Sequence, residues 1–280
     1  MESSHLRRHP HWPQAGFLVG SYAVLCSLVI LAMRIASKRD ASSTPIPAEM
    51  LGPWQGLAFL AAAILLGAIM IRQVKARVAW ELILGVTLFL GVWFYAWIVF
   101  SAEIGLVVAA IATLLQAWIR KVWVHDAFIL MGAAGVALNF AFLLPVKTIF
   151  ILFFMFAIYD TFLAHSGGPI VRFAASLVHR GVIPGLVVPD RLRTLIAPTL
   201  EAVTKPSAVF LGAGDLILPA MLVAVAAISG MIPAACVTLG IFIAATWLGL
   251  RGPTKPFPAL LPLAIGAGVP FFLLTITHFV

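Results

Sequence analysis

Residues 149–165 read IFILFFMFAIYDTFLAH, and residues 207–229 read SAVFLGAGDLILPAMLVAVAAIS. Each run is long enough to cross a bilayer core as a helix, and each carries a single acid, Asp160 in the first and Asp215 in the second. A carboxyl inside a spanning helix is costly; such groups face the interior of the bundle, pair with one another and mark functional sites. Each acid is the other's best partner.

The rest of the chain supports the membrane reading. Of 280 residues 62% are hydrophobic and 10% charged, and the mean hydropathy of +1.10 lies far outside the range of water-soluble domains. Nine apolar runs approach the length a bilayer demands, over about 15–33, 54–71, 78–100, 102–119, 126–144, 147–165, 207–229, 231–249 and 259–279. The expected fold is an all-α polytopic membrane protein of nine spans in the cell membrane. It divides into a six-helix part (1–165), a loop (166–206) and a three-helix part (207–280). The first run follows a charged stretch, MESSHLRRHPHWPQ, but is long enough to span and leads into Arg34, Lys38 and Arg39 with no small-residue cleavage site, so it is read as a helix and not a signal peptide.

A net charge of +8 does not point to nucleic acid, because the basic residues are scattered through short loops. Fourteen Lys and Arg fall at the N-terminus and after the even-numbered spans; four, Arg34, Lys38, Arg39 and Lys147, fall on the other side. The positive-inside bias then puts the N-terminus and the 166–206 loop in the cytoplasm and the C-terminus outside. Within that loop Ile170, Phe173, Ala174, Leu177 and Val178 follow helical spacing, consistent with a short interfacial helix or, given Pro184, Pro189 and Pro198, a structureless tether.

In this topology Asp160 lies roughly 7–8 Å and Asp215 roughly 12 Å from the cytoplasmic ends of the sixth and seventh spans. Two carboxyls that meet in a poorly solvated site cannot both ionise, so they share one proton. That arrangement suits peptide hydrolysis: the ionised group takes a proton from water while the protonated one polarises the scissile carbonyl. The chemistry calls for no metal and no cofactor. Gly212 and Gly214 remove side chains beside Asp215, which suits close approach of a helix or a substrate strand as well as ordinary small-residue packing. Pro219 weakens the helix one turn later. Tyr159 points about 100° away from Asp160, its hydroxyl in need of a partner, either lining the site or anchoring at the interface. Pro256, Pro258 and Pro262 prevent a regular start to the ninth span, and irregular backbone at that depth must be buried in protein or line a wet cavity, where an extended substrate strand finds hydrogen bonds.

Three motifs in order, Tyr159-Asp160, Gly212-Ala213-Gly214-Asp215 and Pro258-Ala259-Leu260, resemble the YD, GxGD and PAL signatures of the presenilin and signal peptide peptidase family of intramembrane aspartyl proteases, in a prokaryotic-type chain. The resemblance covers the sixth, seventh and ninth spans closely and the others by number and spacing. It implies that Asp160 and Asp215 form a catalytic dyad, with Pro258, Ala259 and Leu260 supporting the site and positioning substrate. The charge split resembles presenilin's orientation, which implies transmembrane substrates whose own helix has its N-terminus outside.

Competing readings are a proton-coupled secondary transporter, disfavoured because no internal repeat relates the two aspartates; a prepilin-type peptidase, which typically has a basic residue soon after its GxGD aspartate where this chain has Leu216, Ile217 and Leu218; and a catalytically silent homologue. Among other polar residues Glu81 is spaced to pair with Arg77, Glu103 opens the fourth span in a turn, and Asn139 reads as interhelical glue. His5, His9 and His11 read as a solvated tail in preference to a metal-binding tract, while His165 and His179 stand close enough in sequence to titrate near the site without being needed by it. Cys26 and Cys236 lie within apolar runs and offer no disulfide framework or metal motif.

Overall fold

The computed structural model describes residues 12–39, 55, 58, 62, 69, 77–165, 176–189, 191–203, 209–251 and 258–276. Eight long helices run through them: α1 (Trp12–Ala36), α2 (Arg77–Val99), α3 (Ala102–Trp118), α4 (Val122–Leu143), α5 (Val146–His165), α6 (Ala213–Ser229), α7 (Met231–Arg251) and α8 (Leu260–Ile276). They correspond to the first and the third to ninth expected spans. The second lies outside the described residues except for Gln55, Ala58, Ala62 and Ile69, each helical; His5, His9 and His11 lie outside them altogether. Helices α1, α2, α4 and α7 are long and apolar enough to cross a membrane, and α3, α6 and α8 are apolar helices of 17 residues each. The chain is an integral membrane protein.

Helix α6 is the hub. It packs against α1, α4, α5, α7 and α8, and Leu216 and every residue from Pro219 to Ala226 are buried, as expected of a helix apolar on all sides. Helix α5, which carries Asp160, is held by α8 and α6. Two crossings depend on missing side chains. A methyl on Gly91 of α2 would run into the carbonyl of Gly132 on α4, and one on Gly240 of α7 into that of Gly266 on α8. With lipid as apolar as the helices themselves, close backbone approach of this kind is what drives packing. The opposite faces are apolar and open: Ile104, Val107, Ile111 and Leu114 of α3 and Leu239 and Ile243 of α7 are all exposed, which suits contact with lipid chains.

The helix ends show where the loops belong. Ser101 accepts the Ile104 amide at 3.3 Å and caps α3. The Arg39 guanidinium donates to the carbonyls of Trp97 and Val99, each at 3.1 Å, and to that of Phe100, satisfying the orphan acceptors at the end of α2. Arg77 and Glu81 form the expected i,i+4 ion pair at 2.6 Å. Glu103 is exposed in the first turn of α3.

Three expectations are corrected. The fold is not wholly helical: β1 (Gly185–Val188) and β2 (Val209–Gly212) pair antiparallel, with Gly185 opposite Gly212 and Val188 opposite Val209. Strand β2 occupies positions that hydropathy assigns to the start of the seventh span. Val209 and Phe210 favour extended backbone, and the ladder satisfies main-chain groups that a bare loop would leave unpaired. The 166–206 loop is accordingly no structureless tether. Its described part holds helical residues 176–179, β1, a 3₁₀ helix Leu192–Ile196 and a short helix Thr199–Val203; Ile170, Phe173 and Ala174 of the expected amphipathic helix lie outside the described residues. Asn139 is exposed on α4 and not buried between described helices, so it does not serve as glue among them.

Candidate active site

Asp160 comes on the last turns of α5, half-buried, with buried Ala157 one turn earlier. Its Oδ2 accepts the backbone amide of Leu260 at 3.3 Å. That amide is free to donate because Leu260 opens α8, and the first turn of a helix has no intrahelical acceptors for its N–H groups. Pro258, buried just ahead of it, and Ala259, half-buried, are not helical. Pro258 thus precedes a helix N-terminus that meets the Asp160 carboxylate, where the helix dipole favours negative charge.

Asp215 is held in a related way. Hydropathy places it two turns into a helix; because the chain runs as β2 until Gly212, it stands instead at the third position of α6. Its Oδ2 reaches back to accept the Gly212 amide at 3.2 Å, which is the return half of a capping box. A methyl on Gly212 would lie 3.3 Å from that oxygen, whereas one on Gly214 would meet nothing within 4 Å. Gly212 therefore makes room for the carboxylate itself, and Gly214 keeps the surface beside it bare. The Asp160 carboxyl is near enough for its charge to reach Asp215, and each acid rests on a helix N-terminus.

The main chain of Asp215 reveals a residue that sequence reasoning missed. Four residues on, Pro219 has no N–H and leaves the Asp215 carbonyl without its helical donor. Tyr22 of α1, wholly buried, fills the gap: its hydroxyl donates to that carbonyl at 2.8 Å. The only signal was a tyrosine in the middle of a spanning run, a position that gives no hint of its partner 193 residues away. Tyr159, by contrast, is 51% exposed on α5, and the phenol that braces the Asp215 main chain is Tyr22.

The glycine opposite Gly212 is as constrained. A methyl on Gly185 would run into the carbonyl oxygen of Leu211 and lie 2.8 Å from the Phe210 ring. The amide of Ala213 donates to the Pro184 carbonyl at 3.2 Å, so the small sheet is fastened to the first residue of α6. A cavity of about 710 Å³ between α2, α3 and the loop is lined by Arg77, Gln116 and His125 among others but by neither aspartate. His179 is exposed, and nothing is described of the His165 side chain.

No protein-family model matches this sequence, and no curated protein sequence matches it. Solved structures do. A presenilin family intramembrane aspartate protease in a C222 crystal form superposes with a TM-score of 0.61 at 19% identity, over 93% of this chain and 99% of the other. The structure of a presenilin family intramembrane aspartate protease in a P2 form gives 0.56 at 21% identity, over 92% and 97%. In fold, the chain is presenilin-like.

Proposed function

We propose that this protein is an intramembrane aspartic endopeptidase that hydrolyses peptide bonds within the transmembrane helices of other membrane proteins, with Asp160 and Asp215 as its dyad. The observation that carries the reading is the convergence of the three motifs: Asp160 takes the amide of Leu260, Asp215 takes that of Gly212, and the charge of Asp160 reaches Asp215. Fixed amides and helix N-termini aimed at a pair of acids are preorganised for charge that moves between them.

The dyad holds one proton between its carboxyls and acts as a unit. The ionised carboxylate removes a proton from a water, whose oxygen attacks the scissile carbonyl carbon, while the protonated partner donates to the carbonyl oxygen. Collapse of the tetrahedral intermediate breaks the C–N bond, and the amine leaves with a proton from the dyad. Tyr159, Gly212, Gly214, Pro258, Ala259 and Leu260 support substrate and site. A spanning substrate must unwind for its carbonyl to reach the pair. In the antiparallel register the outward-facing groups of β2 are those of Phe210 and Gly212; the Gly212 amide holds Asp215, and an extended substrate segment adds as a strand at Phe210. The N-terminus lies in the cytoplasm, the C-terminus outside in the cell membrane, and substrates enter with their own N-terminus outside.

The test uses the purified protein in detergent with a model transmembrane substrate. Wild type cleaves, Asp160→Ala and Asp215→Ala both fold and do not, and a hydroxyl-bearing transition-state mimic blocks the wild type. Cleavage that survives in either variant removes the dyad; efficient cleavage of only the reverse substrate orientation removes the assigned topology.

A further inference from the structure

Strand β1 has a second edge, and it is closed by two side chains that the proposed chemistry does not use. In the register that pairs Leu186 with Leu211, the groups of Gly185 and Val187 point away from β2. His125 and Asp126, consecutive residues in the first two turns of α4, take them both. His125 Nε2 lies 2.9 Å from the Gly185 carbonyl, a bond that requires the proton on Nε2 and leaves Nδ1 to accept from Gln116 at 3.4 Å. Asp126 Oδ1 accepts the Val187 amide at 2.9 Å. Both side chains are almost wholly enclosed, at 7% and 4% exposure, and Asp126 Oδ2 is buried with no partner among the described residues. An acid kept at that cost at the end of a spanning helix is a functional candidate in its own right.

Resting on the protease reading, we propose that His125 and Asp126 are a latch that positions the catalytic carboxylate. The path is short, and runs through hydrogen bonds and the backbone of the two-stranded ladder that joins them. Helix α4 grips Gly185 and Val187; the ladder carries that placement to Gly212, directly opposite Gly185; the Gly212 amide holds Asp215 Oδ2 at 3.2 Å. The grip is seated on its own small core, in which Val187, wholly buried, packs with Val122, Ile183 and Ala202. The start of α4 is also stitched to the loop by the Val122 amide on the Ala197 carbonyl at 3.2 Å and the Thr199 amide on the Arg120 carbonyl at 2.9 Å. The latch further decides which strand edge is open: with β1 closed by side chains, a substrate segment has only β2 to join. His125 and Asp126 are positioning residues, since neither touches the reacting atoms.

The experiment measures kcat and KM for the full chain in detergent on a transmembrane peptide, for Asp126→Ala, Asp126→Asn and His125→Gln. Alongside it, amide hydrogen exchange is followed in the 209–215 segment. Losing one buried hydrogen bond on this path lowers kcat by about tenfold or more with KM changed less than about twofold. Exchange over 209–212 quickens in Asp126→Ala. Asp126→Asn keeps the acceptor and His125→Gln keeps the donor, so both recover most of the wild-type rate. If Asp126→Ala does not fold, His125→Ala takes its place with the same expectation. Wild-type kcat and exchange in the truncated variant overturn the latch, as does an Asp126→Asn variant as impaired as Asp126→Ala, because the hydrogen bond would then not be the cause. Should the wild type cleave no substrate, the protease reading falls, and the exchange arm alone decides the latch.

Discussion

Removing one hydroxyl from the first helix should loosen an aspartate on the sixth. Tyr22→Phe leaves ring packing unchanged and creates no cavity, so its effect is confined to the bond from the hydroxyl to the Asp215 carbonyl at 2.8 Å. With Pro219 unable to donate, that carbonyl, partly buried, is left without the only donor described for it. Orphaning a buried acceptor costs about 1–3 kcal/mol, or roughly fivefold to 150-fold in the folding equilibrium. The strain falls on the backbone of Asp215, where a displacement of about 1 Å can cost on the order of a hundredfold in rate. Thermal or denaturant unfolding followed by tryptophan fluorescence reads the first effect, and single-turnover cleavage of a transmembrane peptide reads the second. The decisive variant is Tyr22→Phe/Pro219→Ala. Replacing the proline restores the helical N–H, so the double variant should be more stable and faster than Tyr22→Phe alone, with a coupling well above the roughly 0.5 kcal/mol scatter of independent sites. Additive effects would refute the account, and so would a Tyr22→Phe protein with unchanged stability and rate.

Other outcomes follow from the same geometry. Gly214→Ala should leave stability within about 0.5 kcal/mol of wild type, because a methyl there meets nothing. It should still raise KM for a transmembrane substrate; an unchanged KM would mean that this surface does not meet substrate. Gly185→Ala should abolish cleavage and unpair the ladder, seen as fast amide exchange over 185–188, since its methyl would collide with Leu211. Gly91→Ala should lower the unfolding midpoint by the equivalent of about 1–3 kcal/mol, because the methyl has only the Gly132 backbone to enter; an unchanged midpoint would show that α2 and α4 are not so closely apposed. For topology, single cysteines at Ser37 and His179 should differ in intact cells: a membrane-impermeant maleimide labels the first and spares the second, and the reverse pattern would invert the assigned orientation.

Much of this protein is visible in its one-dimensional order. Asp160, Asp215 and the Pro258–Leu260 segment stand out because the cost of a charge or a broken helix in hydrocarbon is incurred locally, and a residue that breaks so strong a local rule is conspicuous wherever it occurs. The run lengths locate the helices for the same reason, since the bilayer imposes its thickness on each segment separately. What the chain order does not display are relationships between segments that obey every local rule. Tyr22 is an unremarked residue in an apolar run, and His125 and Asp126 stand at the edge of the fifth run, where polar pairs are ordinary. Residues 209–212 are as apolar as the helix they precede, so hydropathy alone assigns them to it. Only the folded chain decides that they form a strand, because a strand exists by virtue of its partner and Gly185 lies 27 residues away by the register that pairs it with Gly212. Hydropathy sets which segments enter the membrane; the hydrogen bonds that backbone groups must find once inside it decide how the two acids are held.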